Sequence, residues 1–119
     1  LFKAGHHGSK TSSTQDLLYL IKPKVITVCC CCGSDEYTSN KDTQFPTQQF
    51  INNIAPYTVN VYVTSISLNN ETKEFASMNG NIIYSCNQET FSIACSNNQT
   101  ILKDTTWFKA NRDTPFDWR

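Results

Sequence analysis

The sequence predicts an α/β fold, in which helices are layered against a sheet and hairpins are added toward the carboxyl end. A continuous apolar and β-branched run, 25–31, is typical of a strand that is buried on both faces. One helical segment precedes this run and ends at Pro23, and another lies between Pro46 and Pro56. The resulting strand–helix–strand order implies crossover connections and mostly parallel pairing of the first strands.

The elements of the first half follow from local signals. Residues 1–4 have the character of a strand end, and the loop 5–10 is rich in His, Gly and Ser. Capping-box spacing occurs twice within 12–16, which predicts the start of a short helix. The apolar positions of this helix are Leu17, Leu18 and Ile21.

The second half combines one helix with several strands. After the polar loop 33–45, Pro46 opens a helix whose apolar stripe is Phe50, Ile51 and Ile54. The segment 59–64 alternates with strand period. Asn79-Gly80, between 75–78 and 81–84, predicts a hairpin, and a further strand is expected at 90–95. The last stretch, 102–119, is expected to pack its aromatic side chains onto another surface, either the core or a partner.

The composition fits one folded domain. The chain has 119 residues, of which 39% are hydrophobic and 12% aromatic. Ten basic residues balance ten acidic ones, so the basic excess of many nucleic-acid binders is absent. No apolar run approaches the roughly 20 residues of a membrane helix, and no signal peptide is visible. Because the chain starts inside a predicted strand, we expect it to be a fragment of a longer protein.

Six cysteines raise the question of metal binding or disulfide formation. Four of them are consecutive, Cys29 to Cys32, and successive side chains of a strand point to opposite faces. They cannot all converge on one tetrahedral metal, so we expect small buried hydrophobic side chains. A zinc site that uses two of them with a distant cysteine is the alternative. Cys86 and Cys95 flank a predicted hairpin, and the sequence leaves open whether they form a disulfide.

The chain's only two histidines, His6 and His7, follow the first predicted strand and precede a helix. They are therefore expected at the carboxyl end of a strand, which is where α/β folds present ligand-binding loops. Histidine binds zinc and transfers protons near neutral pH, while Gly5 and Gly8 give the backbone freedom to turn. Two histidines alone do not complete a catalytic zinc site, so the residues by themselves leave a structural role equally open.

Five segments occur in an order that resembles a known enzyme family. The segment 3–13 has the pattern K-x-x-H-H-G-S-x-x-S, and 22–28 follows it as a strand that begins with Lys-Pro-Lys. The loop 40–46, the strand end 61–64 (Val-Tyr-Val-Thr) and the segment 79–84 (Asn-Gly-Asn-Ile-Ile-Tyr) continue the order. Together they resemble the ComEC/Rec2-like branch of the metallo-β-lactamase-fold hydrolases, over roughly residues 1–85.

The resemblance implies the carboxyl-terminal half of an αβ/βα sandwich with added hairpins. Residues 1–119 then form a single partial domain, with the family half at 1–85 and a strand plus aromatic tail at 86–119. The implied activity is metal-dependent hydrolysis of phosphodiester or related ester bonds, as in a nuclease linked to DNA uptake. The implied cofactor is zinc or manganese in the complete protein.

The resemblance also assigns roles to individual residues. His6, His7 and Ser9 are implied as catalytic residues, and one histidine of the pair is implied as a metal ligand. Lys10 and Ser12 are implied as substrate-binding residues.

Two departures from the family pattern limit this assignment. Phe45 stands where the family has a histidine, and the H-x-H-x-D-H metal motif belongs to a preceding half that this chain lacks. We therefore expect the missing amino-terminal half as a partner, a nucleic acid or other phosphodiester as substrate, and self-association of the exposed half-fold. We expect no hydrolytic activity from this chain alone. A catalytically degenerate binding module is the alternative, and the compartment, cytoplasmic or exported bacterial, stays open.

Overall fold

The computed structural model describes residues 1–119 and has three α-helices, six strands and two sheets. The structure confirms the mixed α/β class that the sequence predicts. In chain order, the helices and strands are β1 (Phe2–Lys3), α1 (Gln15–Ile21), β2 (Ile26–Cys32), α2 (Gln48–Ile54), β3 (Val61–Asn69), β4 (Glu74–Ser77), β5 (Ile82–Cys86), β6 (Phe91–Cys95) and α3 (Thr106–Asn111).

The main sheet has four strands in the order β1-β2-β3-β4. β1 pairs with β2 and β2 with β3 in parallel, each after a helical connection, and β4 pairs with β3 antiparallel. The parallel start and the antiparallel additions are therefore as predicted. β2 lies inside the sheet, which explains why its sequence is a continuous apolar run.

The core lies on the helical side of this sheet. Ile26 and Val28 of β2 are fully buried and belong to one apolar cluster with Phe50, Ile51 and Ile54 of α2. Cys30 and Cys32 belong to the same cluster, which confirms their interpretation as small hydrophobic side chains. Cys29 and Cys31, on alternate positions, are only half-buried. The sequence predicted a strand that is buried on both faces. For the second half of β2 this is wrong, because one face is only partly covered.

Helix α1 departs from its prediction at both its start and its packing. Its cap is Thr14, whose hydroxyl accepts a hydrogen bond from the Leu17 amide, instead of Ser12 or Ser13. Of the three predicted apolar positions only Leu18 is buried, while Leu17 and Ile21 are exposed. The helix is only seven residues long, and Leu18 is its only apolar side chain in the core cluster.

The predicted Asn79-Gly80 hairpin does not form. The amides of Asn79 and Gly80 donate to the carbonyls of Val63 and Thr64, so the chain stays beside β3 at this point. The buried Asn79 side chain accepts a hydrogen bond from the Val63 amide at 2.7 Å. Instead of turning back on β4, the chain then crosses to a second sheet, in which β5 and β6 form an antiparallel hairpin.

The β5–β6 hairpin packs against the main sheet through a hydrogen bond between Tyr84 and Thr27. Cys86 and Cys95 are both free thiols. The register pairs Cys86 with Phe91 and Ile82 with Cys95, so the two cysteines lie about 13 Å apart along the hairpin. This separation exceeds the reach of a disulfide.

The aromatic tail is mostly part of the core. Trp107, Phe108 and Trp118 are buried and belong to the core cluster, and only Phe116 is exposed. The Trp118 indole donates to the Thr58 carbonyl at 3.1 Å, which fastens the end of the chain to the loop before β3. Of the two surfaces that the sequence left open for the tail, the core is therefore the one that it packs on, with Phe116 left exposed.

No helix combines the length and the apolar character needed to cross a membrane. This agrees with the sequence, in which no membrane segment was found.

Candidate functional site

The two histidines lie in a tight left-handed turn directly after β1. The segment Gly5–Gly8 is a 3₁₀ turn in which His6, His7 and Gly8 have φ values of 39°, 56° and 76°. This conformation costs an L residue about 1–2 kcal/mol, so the turn is strained. At Gly8 a Cβ atom would lie 3.0 Å from the Pro46 Cβ and 3.1 Å from the Phe50 Cδ1. A side chain at this position would be strained by the positive φ and in tight contact with Pro46 and Phe50.

Hydrogen bonds to Thr47 hold the turn in place. The Thr47 amide and hydroxyl both donate to the Gly8 carbonyl, at 3.0 and 3.3 Å. The same hydroxyl accepts from the Phe50 amide at 3.2 Å and so caps α2. The start of α2 and the histidine turn are therefore fixed to each other, and the packing of α2 stabilises the strained backbone.

A β-bulge in β2 positions His7. The ladder between β2 and β3 pairs Val28 with Val63 and then Cys31 with Ser65, so β2 carries one extra residue in this interval. Bulges re-aim backbone and side-chain groups, and they are frequent next to active sites. Here the His7 Nδ1 atom lies 2.6 Å from the carbonyl oxygen of Cys29, inside the bulge.

This hydrogen bond selects one tautomer of the His7 ring. A carbonyl oxygen only accepts, so Nδ1 must carry the proton. In the neutral ring Nε2 then has a free lone pair, and it has no hydrogen-bond partner in the protein. A fixed imidazole with one nitrogen bound to a carbonyl and the other free is the arrangement of most histidine metal ligands.

His7 lines a cavity of about 300 Å³ beside the second half of β2 and the middle of β3. The bulge supplies its floor, the loop after β2 supplies one wall, and β3 supplies the opposite wall. The polar lining groups besides His7 are Cys29, Cys31, Ser34, Glu36, Thr64 and Ser65. The hydroxyls of Thr64 and Ser65 donate to the Cys30 carbonyl, at 3.0 and 3.1 Å.

Aromatic rings surround the histidines. The Tyr37 ring stacks on His7 at a centroid distance of 5.8 Å and an interplanar angle of 19°. Phe45 lies 5.5 Å from the His6 ring and 5.8 Å from the His7 ring, centroid to centroid. The residue that replaces the expected family histidine therefore packs on both imidazoles.

The other predicted site residues lie outside this cavity. His6 is exposed beside it, with its ring 6.1 Å from that of His7. Ser9 is buried, with its hydroxyl 3.4 Å from that of Thr11. The Ser12 hydroxyl donates to the Ser9 carbonyl at 3.1 Å, and the Lys10 side chain is exposed. Of the five residues that the resemblance singled out, only His7 lines the cavity.

Two thiols in the second half of β2 have raised pKa values. Burial raises the pKa of Cys31, and the neighbouring Cys30 raises it further. The fully buried Cys32 thiol has its pKa raised well above the ordinary value, mainly by desolvation. Thiolates are the form that binds metal, so these cysteines are poor ligands as they stand.

The residues of this chain do not form a complete metal centre. No three or more His, Cys, Asp or Glu side chains are grouped so that they could hold a metal ion. The zinc site that the sequence left open for two of the cysteines is therefore not formed in the structure. A catalytic zinc site takes three protein ligands, and no such set is present among these residues.

Sequence reasoning missed the walls of the cavity, which include Glu36, Tyr37, Thr64 and Ser65. The available signal was the long loop 33–45, which follows a buried strand at the carboxyl edge of the sheet. Its position predicts a ligand-binding loop, although its composition predicts only a turn-rich segment.

Comparison of the chain with protein-family models, with curated proteins and with solved structures found no match.

Proposed function

We propose that this chain is the carboxyl-terminal half of a metal-dependent hydrolase of the metallo-β-lactamase fold, in its ComEC/Rec2-like branch. The observation that supports this most directly is the fixed His7 imidazole, which lines a cavity beside the parallel strands β2 and β3 and whose Nε2 makes no hydrogen bond within the chain. The order of motifs in the sequence and the parallel β1-β2-β3 arrangement are consistent with it. The proposed substrates are phosphodiesters or related esters, including nucleic acid.

In this proposal His7 supplies one ligand to a zinc or manganese ion, and the remaining ligands come from the missing amino-terminal half. When bound, such an ion activates water and stabilises negative charge on phosphoryl oxygens. The residues of this chain orient His7: the Cys29 carbonyl fixes the ring, and Tyr37 and Phe45 pack on its faces. His6 is exposed and makes no hydrogen bond through its ring, so we assign the ligand role to His7 alone.

A binding module without catalytic activity is the second candidate. Phe45 favours it, because an apolar ring occupies the place of a family histidine and contacts both imidazoles. In that case the cavity binds a ligand by stacking and shape. Both candidates use the same cavity, and they differ in whether loss of the imidazole abolishes turnover.

The test uses the complete open reading frame that contains this chain, assayed for hydrolysis of bis(p-nitrophenyl) phosphate with added zinc or manganese. Removing a ligand to the catalytic ion should lower kcat/KM at least about 100-fold, and we expect this for His7→Ala. The matched control, His6→Ala, removes the neighbouring imidazole outside the cavity and should change kcat/KM by no more than about threefold.

Three outcomes decide between the candidates. If His7→Ala keeps its turnover, the hydrolase proposal is wrong. If the complete protein has no metal-dependent turnover but still binds a ligand that protects Tyr37 from modification, the binding module is favoured. Phosphodiester turnover by purified residues 1–119 alone would contradict the proposal that the metal ligands are shared with another segment.

A further inference from the structure

Helix α1 has an apolar stripe that the fold leaves uncovered. Leu17, Leu20 and Ile21 lie at i, i+3 and i+4 and so share one side of the helix. They are exposed to 41%, 79% and 40%, whereas Leu18, on the side that faces the core, is fully buried. Apolar side chains at this spacing usually face a core or a partner. The other elements of the chain therefore leave this stripe exposed.

A cationic groove continues the stripe. Ile21 also borders a groove of about 340 Å³ that includes Val25 and Phe91, and Phe91 is itself exposed. Lys22 and Lys24 line this groove, and no acidic side chain does. The only carboxylate on α1 is Asp16, in its first turn, at the far end from the lysines. The apolar surface is thus flanked by positive charge at its carboxyl end.

We propose that this stripe and its two lysines dock the chain on an anionic lipid surface. Leucine and isoleucine side chains enter the boundary between headgroups and acyl chains, and nearby lysines are attracted to anionic headgroups. Tyr19, whose ring lies 5.2 Å from the Lys22 Nζ atom, adds an amphipathic ring of the kind found at such boundaries.

A second copy of the chain fits this surface less well. An isologous contact with antiparallel helices would offer the two lysines of each copy a single carboxylate, Asp16 of the other copy, and a contact with parallel helices would offer none. Like charges at a desolvated interface are unfavourable, whereas an anionic bilayer neutralises both lysines. The charge pattern therefore selects the lipid surface. This inference is independent of whether the His7 cavity is catalytic, and it requires that the amino-terminal half in the proposed function leaves the stripe exposed.

The experiment is co-sedimentation of residues 1–119 with sucrose-loaded vesicles. We expect binding to vesicles that contain phosphatidylglycerol, weakening with added salt, and little binding to pure phosphatidylcholine. At about a fivefold effect for each lysine, the Lys22→Gln/Lys24→Gln variant should bind about 25-fold more weakly. Leu20→Gln removes the most exposed apolar side chain and should cost at least about tenfold.

Matched controls distinguish binding through this surface from nonspecific adsorption to the vesicles. Leu68→Gln removes a leucine that is about as exposed, on β3, and Lys41→Gln removes an exposed lysine from another loop. Both should change binding less than about twofold. Circular dichroism of each variant establishes that it is folded.

Several results would overturn the proposal. These are wild-type protein that fails to bind phosphatidylglycerol vesicles, or control variants that lose as much binding as Leu20→Gln. Light scattering that shows a dimer dissociated by Leu20→Gln, without vesicle binding, would identify a second copy as the occupant instead. Binding that survives the double lysine substitution would also contradict it.

Discussion

The substitution Gly8→Ala tests the left-handed turn on which the His7 geometry depends. Gly8 has φ of 76°, a conformation that alanine rarely adopts. The added Cβ would also lie 3.0 Å from the Pro46 Cβ and 3.1 Å from the Phe50 ring. Pro46 and Phe50 are both buried, so neither can move away without disturbing the core. Strain in the backbone and overpacking should therefore act together.

The expected cost is the sum of these two effects. The left-handed conformation costs about 1–2 kcal/mol for a residue with a Cβ, and overpacking of a core costs about 1–3 kcal/mol. The sum is about 2–5 kcal/mol, a large part of the stability of a domain of this size. At about 4 °C per kcal/mol, the melting temperature should fall by about 8–20 °C.

The assay is urea and thermal unfolding followed by circular dichroism, with Gly5→Ala as the matched control. At Gly5 the added Cβ would meet only the Ser12 Cβ, at an ordinary 3.8 Å. We expect Gly5→Ala to leave the stability unchanged or to raise it by up to about 1 kcal/mol. If the free energy of unfolding of Gly8→Ala is within about 0.5 kcal/mol of the wild-type value, this description of the strained turn and its packing is wrong.

Three further predictions concern the buried Asn79 side chain, the tautomer of the His7 ring and the Cys32 thiol. Asn79→Ala removes buried hydrogen bonds to Val63 and to the loop before α3, and should cost about 3 kcal/mol in urea unfolding; a cost below about 1 kcal/mol would contradict this. Nitrogen NMR of neutral His7 should find the proton on Nδ1, and a proton on Nε2 would remove the proposed free lone pair. Because the folded pKa of Cys32 is raised, the unfolded chain loses its proton first. The free energy of unfolding should therefore fall as the pH rises above about 8.5, and less steeply in Cys32→Ala; a flat profile would refute this.

The parts of the fold that were predicted correctly are those in which one short segment carries its own signal. The β-branched run that begins at Val25 became an inner strand, and Phe50, Ile51 and Ile54 became the buried stripe of α2. The stripe of α2 repeats with the helical period, and the run that begins at Val25 is short and rich in β-branched residues, which favours a strand over a buried helix. The parallel order of the first three strands follows from the helices between them.

The failures occur where tertiary contacts override a local signal. Asn79-Gly80 has the best hairpin dipeptide of the chain, but the Asn79 side chain is used to pair with the Val63 amide. This hydrogen bond keeps the segment beside β3 and sends the next strand to another sheet. For α1, periodicity identified the apolar side chains, but no property of the segment itself states that only Leu18 has a neighbour to pack on.

The same reasoning explains why the sequence could identify a histidine pair but not which member of it lines the cavity. His6 and His7 are chemically identical, adjacent, and both left-handed in the turn. The difference between them comes from Cys29, 22 residues further along the chain, whose carbonyl is directed at His7 by a bulge between β2 and β3. Any substitution that restores a regular hydrogen-bond ladder in β2 should therefore disturb the orientation of the His7 ring as strongly as a substitution in the turn does. The site is a property of the β2–β3 pairing as much as of the two histidines.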